Sequence, residues 1–398
     1  MVSLLICAVV IPTLVVATST VQGLSQPLVV TNIRVGSSPL GVAFDSSNRL
    51  MYVTDSVSNT VSVIDGTTDT VVANVSVGNS PYGTAFDPSN GCVYVADFGS
   101  DTVSVINGST NVVIRNISVG INPESITFDT SNGYIYVAND GTNTVSVING
   151  LTNVVLGTVS VKGYPSAIAF GSSNGYVYVT DLVSNTVSVI DGTTDTVVAN
   201  VSVGNSPSGV AFDSSNGYVY VANSVSNTVS VINGATNTVL ASIDVGNNPY
   251  GVAFDPFNQF VYVTNSASNT VSIIDGATNM VVANVSVGEE PLGMAFDSSN
   301  GYVYVANGHS NSVSVIAFPP SSTSSSTSLS TTSPITTTPS PTPSSTTGSG
   351  GTSAITTGGG GIPEFPYQLL AVPVFVALVV TSYLLVRKRR VGSEGRAH

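Results

Sequence analysis

From about residue 29 to residue 317 the chain alternates short apolar runs with polar turns, and the alternation itself repeats. The Tyr-Val pair recurs at Tyr52, Tyr94, Tyr136, Tyr178, Tyr220, Tyr262 and Tyr304, a spacing of 42 residues kept without insertion or deletion. A repeat of ~40 to 45 residues holding four strands has the length of a propeller blade. In the third unit the spacing predicts strands over Ser125–Phe128, Tyr134–Ala138, Thr144–Ile148 and Val154–Val161. Their Val, Ile, Tyr and Thr content suits strands, and no ten-residue stretch has helical periodicity. Both faces of each strand are rich in apolar residues, as expected for sheets sandwiched between neighbouring sheets.

Turn chemistry agrees with this division. Asp129-Thr130-Ser131-Asn132-Gly133 supplies an Asp able to cap its own turn and an Asn-Gly able to take positive φ, and Asn149-Gly150 is expected to do the same between the third and fourth strands. The recurrent Asp45, Asp87, Asp129, Asp213, Asp255 and Asp297 read as turn caps, with Gly171 in the fourth place. The seven Tyr read as blade-to-blade packing.

The sequence also indicates how the ring shuts. Val29 to Gly36 aligns, one period earlier, with the fourth strand at Val71 to Gly78, whereas the last unit stops after its third strand, Ser312 to Ile316. Residues 29 to 35 therefore complete the last blade and cover its open edge. The expected fold is all-β, a seven-bladed β-propeller over residues 27–318.

Outside that domain the pattern changes. Residues 1–26 read as a signal peptide and leader, with an apolar core from Leu4 to Val16 followed by small and polar residues. Residues 319–361 are a Ser/Thr/Pro/Gly-rich stalk that lacks the apolar content to fold. Residues 362–386 hold Pro363-Glu364-Phe365-Pro366 and then an uncharged stretch from Tyr367 to Val386, long enough to cross a bilayer. Residues 387–398 form a basic tail beginning Arg387-Lys388-Arg389-Arg390, which sets the tail in the cytoplasm and everything before it outside. The expected location is the cell surface, as a single-pass membrane protein.

Charge narrows the function. Charged residues make up 8% of the chain, and five of the 9 basic residues lie in the last dozen positions. An acidic body repels phosphate backbones, so nucleic acid is excluded as a partner. Cys7 and Cys92 offer no disulfide once the leader is removed.

The unit resembles the YVTN β-propeller repeat of archaeal surface-layer-like proteins. Tyr262-Val263-Thr264-Asn265 is the literal motif, Tyr52 and Tyr178 begin Tyr-Val-Thr-Asp, and a Ser-Pro-x-Gly-Val-Ala-Phe-Asp pattern accompanies them at Ser38 to Asp45. Pro363 to Pro366 resembles the Pro-Glu-Phe sorting signals that precede C-terminal helices of such proteins, where a transpeptidase cuts and transfers the chain to another anchor. The resemblance implies a surface-displayed protein and assigns no reaction.

Catalytic chemistry is sparse. His309 is the only histidine before the last residue, no Ser/His/Asp set or Cys/His metal spacing is present, and no cofactor or metal is expected. Asp65 with Asp69, and Asp191 with Asp195, lack the third carboxylate a calcium site would want. Variation among the copies is more informative. After the repeated prolines stand Leu40, Tyr82, Glu124, Ser166, Ser208, Tyr250 and Leu292; before them fall Tyr164 and the pair Glu289-Glu290; the loops after the second strand carry Phe98, Asp140, Leu182 and His309. All of these belong to one face of the disc, and the unlengthened loops predict a shallow site. Tyr82, Phe98, Glu124, Asp140, Tyr164, Tyr250, Glu289, Glu290 and His309 are thus candidates for binding a cell-surface protein or glycan. Sequons at Asn74, Asn107, Asn116, Asn200 and Asn284 are candidates for glycosylation. The expected function is non-enzymatic, in envelope structure, adhesion or ligand binding. A lactonase-like extracytoplasmic hydrolase or lyase is the alternative from another class, and a lattice subunit a third.

Overall fold

The structure, a computed structural model, describes residues 26–318. The leader, stalk, sorting motif, membrane span and basic tail all lie outside the described residues. Seven four-stranded antiparallel sheets are formed. Six take their strands in chain order, the first spanning Pro39–Asp45, Leu50–Asp55, Thr60–Asp65 and Thr70–Ser76. The seventh combines Pro291–Asp297, Tyr302–Asn307 and Ser312–Ala317 with Leu28–Arg34, which pairs antiparallel from Leu28 opposite Ala317 to Arg34 opposite Ser312. The ring-closing strand is therefore present, displaced one residue toward the N-terminus from its expected bounds.

Burial follows strand order. Second and third strands are almost wholly buried; fourth strands alternate, with Val72, Asn74 and Ser76 exposed and Val75 buried. The hydrophobic clusters bridge adjacent blades: Tyr52, Val61, Val63 and Val75 of blade one pack with Val93, Val95 and Ile106 of blade two. No blade buries its faces alone, so burial energy ties each sheet to the next.

The repeated Tyr adds a polar clasp to that packing. Tyr52 Oη donates to Asn111 Oδ1 at 2.8 Å in the next blade and lies 3.2 Å from Gly108 O. Tyr94 with Asn153, Tyr136 with Asp195, Tyr220 with Asn279 and Tyr304 with Asp69 repeat it. Burial pushes the Tyr52 phenol up to about 12, with nearby Asp45 adding to the rise, so the hydroxyl stays a donor at physiological pH.

One expected turn is different. Gly133 has φ 76°, as expected, but neither Asn149 nor Gly150 takes positive φ; the left-handed residue of that hairpin is Asn153, at 55°. Gly150 is small for another reason: a Cβ there would lie 2.7 Å from Asp87 Oδ2 of the preceding blade. The turn Asp has a matching double role. Asp45 Oδ1 accepts from Ser47 N at 2.9 Å and Ser47 Oγ at 2.6 Å, while Oδ2 faces Gly108 of the next blade.

Candidate functional site

The first strands line the axis of the ring, and their prolines stand at the end where a cavity opens. Close approach of neighbouring first strands requires glycine: a Cβ on Gly41 would lie 2.3 Å from Tyr82 O, and one on Gly251 2.3 Å from Leu292 O. The Thr of the Tyr-Val-Thr units fastens this junction. Thr264 Oγ1 accepts from Gly251 N at 2.7 Å and donates to Leu292 O at 2.7 Å in the next blade. Thr54 makes the same bridge between Gly41 N and Tyr82 O.

The cavity has a volume of about 160 Å³ and is lined by Leu40, Tyr82, Glu124, Ser166, Ser208 and Tyr250, each the second residue of its strand, with residues that follow them. Six of the seven varied positions after proline thus converge on the axis. The seventh, Leu292, is buried instead. Close packing of the first strands around the axis brings these side chains to one open cavity without any long loop.

Around the opening, Tyr82 stacks on Phe98, ring centroids 4.6 Å apart and planes at 19°. Glu124 is 8% exposed, and Glu124 Oε1 accepts from Ser166 Oγ at 3.0 Å. Asp140, 7% exposed, begins a single 3-10 turn to Thr142. Of the nine binding candidates, Tyr82, Glu124 and Tyr250 are in the cavity lining and the other six are not. Tyr164 is exposed with φ 51°, Glu289 is exposed, and His309 is 70% exposed with Nδ1 3.3 Å from Glu290 Oε2. Among the described residues no three His, Cys, Asp or Glu side chains are placed to hold a metal ion.

The sequons Asn74, Asn116, Asn200 and Asn284 lie exposed on fourth strands. Their Oδ1 atoms accept from Ser62, Ser104, Ser188 and Ser272 hydroxyls of the adjoining third strands. Asn107 ends a third strand and turns its Oδ1 to Ser109 N and Thr110 N.

Sequence reasoning passed over a buried ring at the last residue of the second strands: Asp55, Asp97, Asn139, Asp181, Asn223, Asn265 and Asn307, all fully buried. Desolvation pushes the Asp55 and Asp97 carboxyls up to about 6, against the lowering effect of hydrogen bonds from Ser62 and Thr60, or Ser104 and Thr102. Burial raises Asp181 likewise. The available signal was the interchange of Asp and Asn at one motif position.

Two family models match parts of the chain: a YNCE-like beta-propeller over residues 210–320 and a seven-bladed beta-propeller lactonase over residues 74–241. No curated protein matches. Among solved structures, the hydrazine synthase of Kuenenia stuttgartiensis superposes with a TM-score of 0.65 at 21% identity, covering 70% of this chain and 95% of that one. At that identity the likeness establishes the fold.

Proposed function

We propose that this protein is a surface-displayed binding module whose ring recognises a protein or glycan partner through the cavity and its rim, without catalysing a reaction. The signal peptide, stalk and single C-terminal span read in the sequence support display outside the cell. The observation that carries the reading is the contrast within the repeat. The strand framework is nearly monotonous, while the position after proline holds Leu, Tyr, Glu and Ser, and six of its seven copies meet at one cavity. Aromatic side chains beside a few polar groups are the composition of ligand sites.

Replacing Tyr82 and Tyr250 together with Ala tests this. Saturable binding of the protein to intact cells or to a glycan panel, measured with and without calcium, is expected to weaken at least tenfold. Binding that ignores both substitutions would overturn the recognition site, and uniform absence of binding by the unmodified protein would favour a lattice subunit.

The lactonase model over residues 74–241 favours a second reading, a lactonase-like hydrolase. Among the ionisable binding candidates Glu124 lines the cavity, whereas exposed Glu289 and His309 do not. Turnover of a sugar lactone that disappears in Glu124→Gln would establish the enzyme in place of the binder.

A further inference from the structure

Building on that binding reading, we propose that the axial cavity takes an organic cation, a primary ammonium or guanidinium group on a short alkyl chain. Charge comes first. Of the 22 acidic residues only Glu364 and Glu394 fall outside the propeller, which holds just four basic ones: Arg34, Arg49, Arg115 and Lys162. None of these four lines the cavity, whereas Glu124 does. A single-sign field focused into a walled opening concentrates counter-ions and repels phosphates and carboxylates.

Local chemistry agrees. Glu124 is fixed by Ser166 Oγ, so its carboxylate is oriented before a ligand arrives. Blades two and three share one register, with Pro81 opposite Asp97 and Pro123 opposite Asn139. Phe98 stacks on Tyr82 of the cavity lining, and the same register places Asp140, like Glu124 a buried acid, at the position after Asn139 in blade three. Tyr82 and Tyr250 line the same space. A cation approaching a tyrosine face and a carboxylate together gains from both. Size points the same way: a cavity of about 150 Å³ admits a benzene-sized guest. One of about 160 Å³ takes a head group with a few methylenes, not an oligosaccharide.

The test is calorimetric titration of the full-length chain with cadaverine, a free diamine, and with an acetylated Gly-Lys-Gly amide, a side-chain ammonium. Glucose and gluconate serve as neutral and anionic comparisons. One-to-one binding of at least one cation is expected, weakened at least tenfold by Glu124→Gln and unchanged by Asp244→Asn, which removes an equal charge from an exposed outer strand. The tighter of the two cations tells a free ligand from a partner's side chain. Melting temperatures are compared alongside; should Glu124→Gln lower its own, failure of gluconate to displace cadaverine from the unmodified chain is the expected result. Cation binding indifferent to Glu124, binding of glucose or gluconate alone, or no binding by any probe would overturn the inference. Cell binding lost with Tyr82 and Tyr250 but kept in Glu124→Gln removes the cation and leaves the recognition reading. Cadaverine held at Glu124 by a protein whose cell binding ignores both tyrosines does the reverse.

Discussion

At the scale of single residues, the buried Asp/Asn ring shows how one proton is shared. In blades one, two and four, the third-strand serine hydroxyl faces both a buried Asp and an outer-strand Asn. Ser62 lies 2.8 Å from Asp55 Oδ2 and 3.1 Å from Asn74 Oδ1, and the Ser104 and Ser188 contacts to Asn116 and Asn200 are also 3.1 Å. A hydroxyl has one hydrogen to give. Where the buried residue is Asn, its Nδ2 donates to the serine, as Asn265 does to Ser272 at 2.9 Å, and the hydroxyl proton goes outward. The outward contacts then shorten, to 2.8 Å for Ser272 with Asn284 and 2.7 Å for Ser314 with Asn32. Asp55→Asn with Asp97→Asn is therefore expected to stabilise the protein. A carboxyl whose pKa rises from 3.8 unfolded to about 6 folded holds its proton more tightly in the folded state. Its burial costs stability above pH 6, and the cost vanishes as pH falls below the unfolded value. Each substitution should gain up to about 3 kcal/mol at pH 8, at about 1.4 kcal/mol per pKa unit, and little at pH 4. Denaturant unfolding at both pH values checks this; an equal gain at each would refute the titration account.

At the scale of the element, the blade-to-blade clasp ranks the tyrosines. Tyr94→Phe removes the donor to Asn153 Oδ1 and Gly150 O and leaves those acceptors beside an apolar ring edge, at a cost of about 1 to 2 kcal/mol. Blade four departs from this pattern. Gly171 replaces the turn Asp, Tyr178 Oη lies 3.3 Å from Gly234 O, and Asn237 Oδ1 is left without a hydrogen bond. Tyr178→Phe should thus cost less than Tyr94→Phe, measured as the shift in denaturant midpoint for each. A larger cost at Tyr178 would show that packing, not the hydroxyl, sets the clasp. Strand order, hairpin turns and the role of the tyrosines were legible because each follows from local residue type and a fixed period. The glycine of the last hairpin was misread because its constraint comes from Asp87 in another blade, a contact no turn preference encodes. The cavity was half legible. Variation marked Tyr82, Glu124 and Tyr250, but that these positions meet at one axial cavity depends on how tightly seven first strands close on the axis, which is a packing outcome.

At the scale of the whole molecule, closure depends on pairing the two ends of the domain. Ser314 Oγ reaches Asn32 Oδ1 across 282 positions of chain, and Ile33 packs with Val313, Val315 and the blade-one residues Met51 and Val53. The strand Leu28–Arg34 thus fastens blade seven to itself and to its neighbour, a join that costs more chain entropy than any hairpin. Deleting residues 28–34 leaves Ser312–Ala317 as an apolar edge strand with unpaired backbone groups and opens the cluster around Ile33. Exposed edges of this kind pair with other chains. The truncated protein is expected to lose its monomeric state in size-exclusion chromatography with light scattering and to melt at least 10 °C lower. A monomer with an unchanged melting temperature would mean that six complete blades and a three-stranded seventh hold the ring unaided. The alignment of the leading strand with the missing fourth strand would then be a remnant of repeat duplication and not the latch.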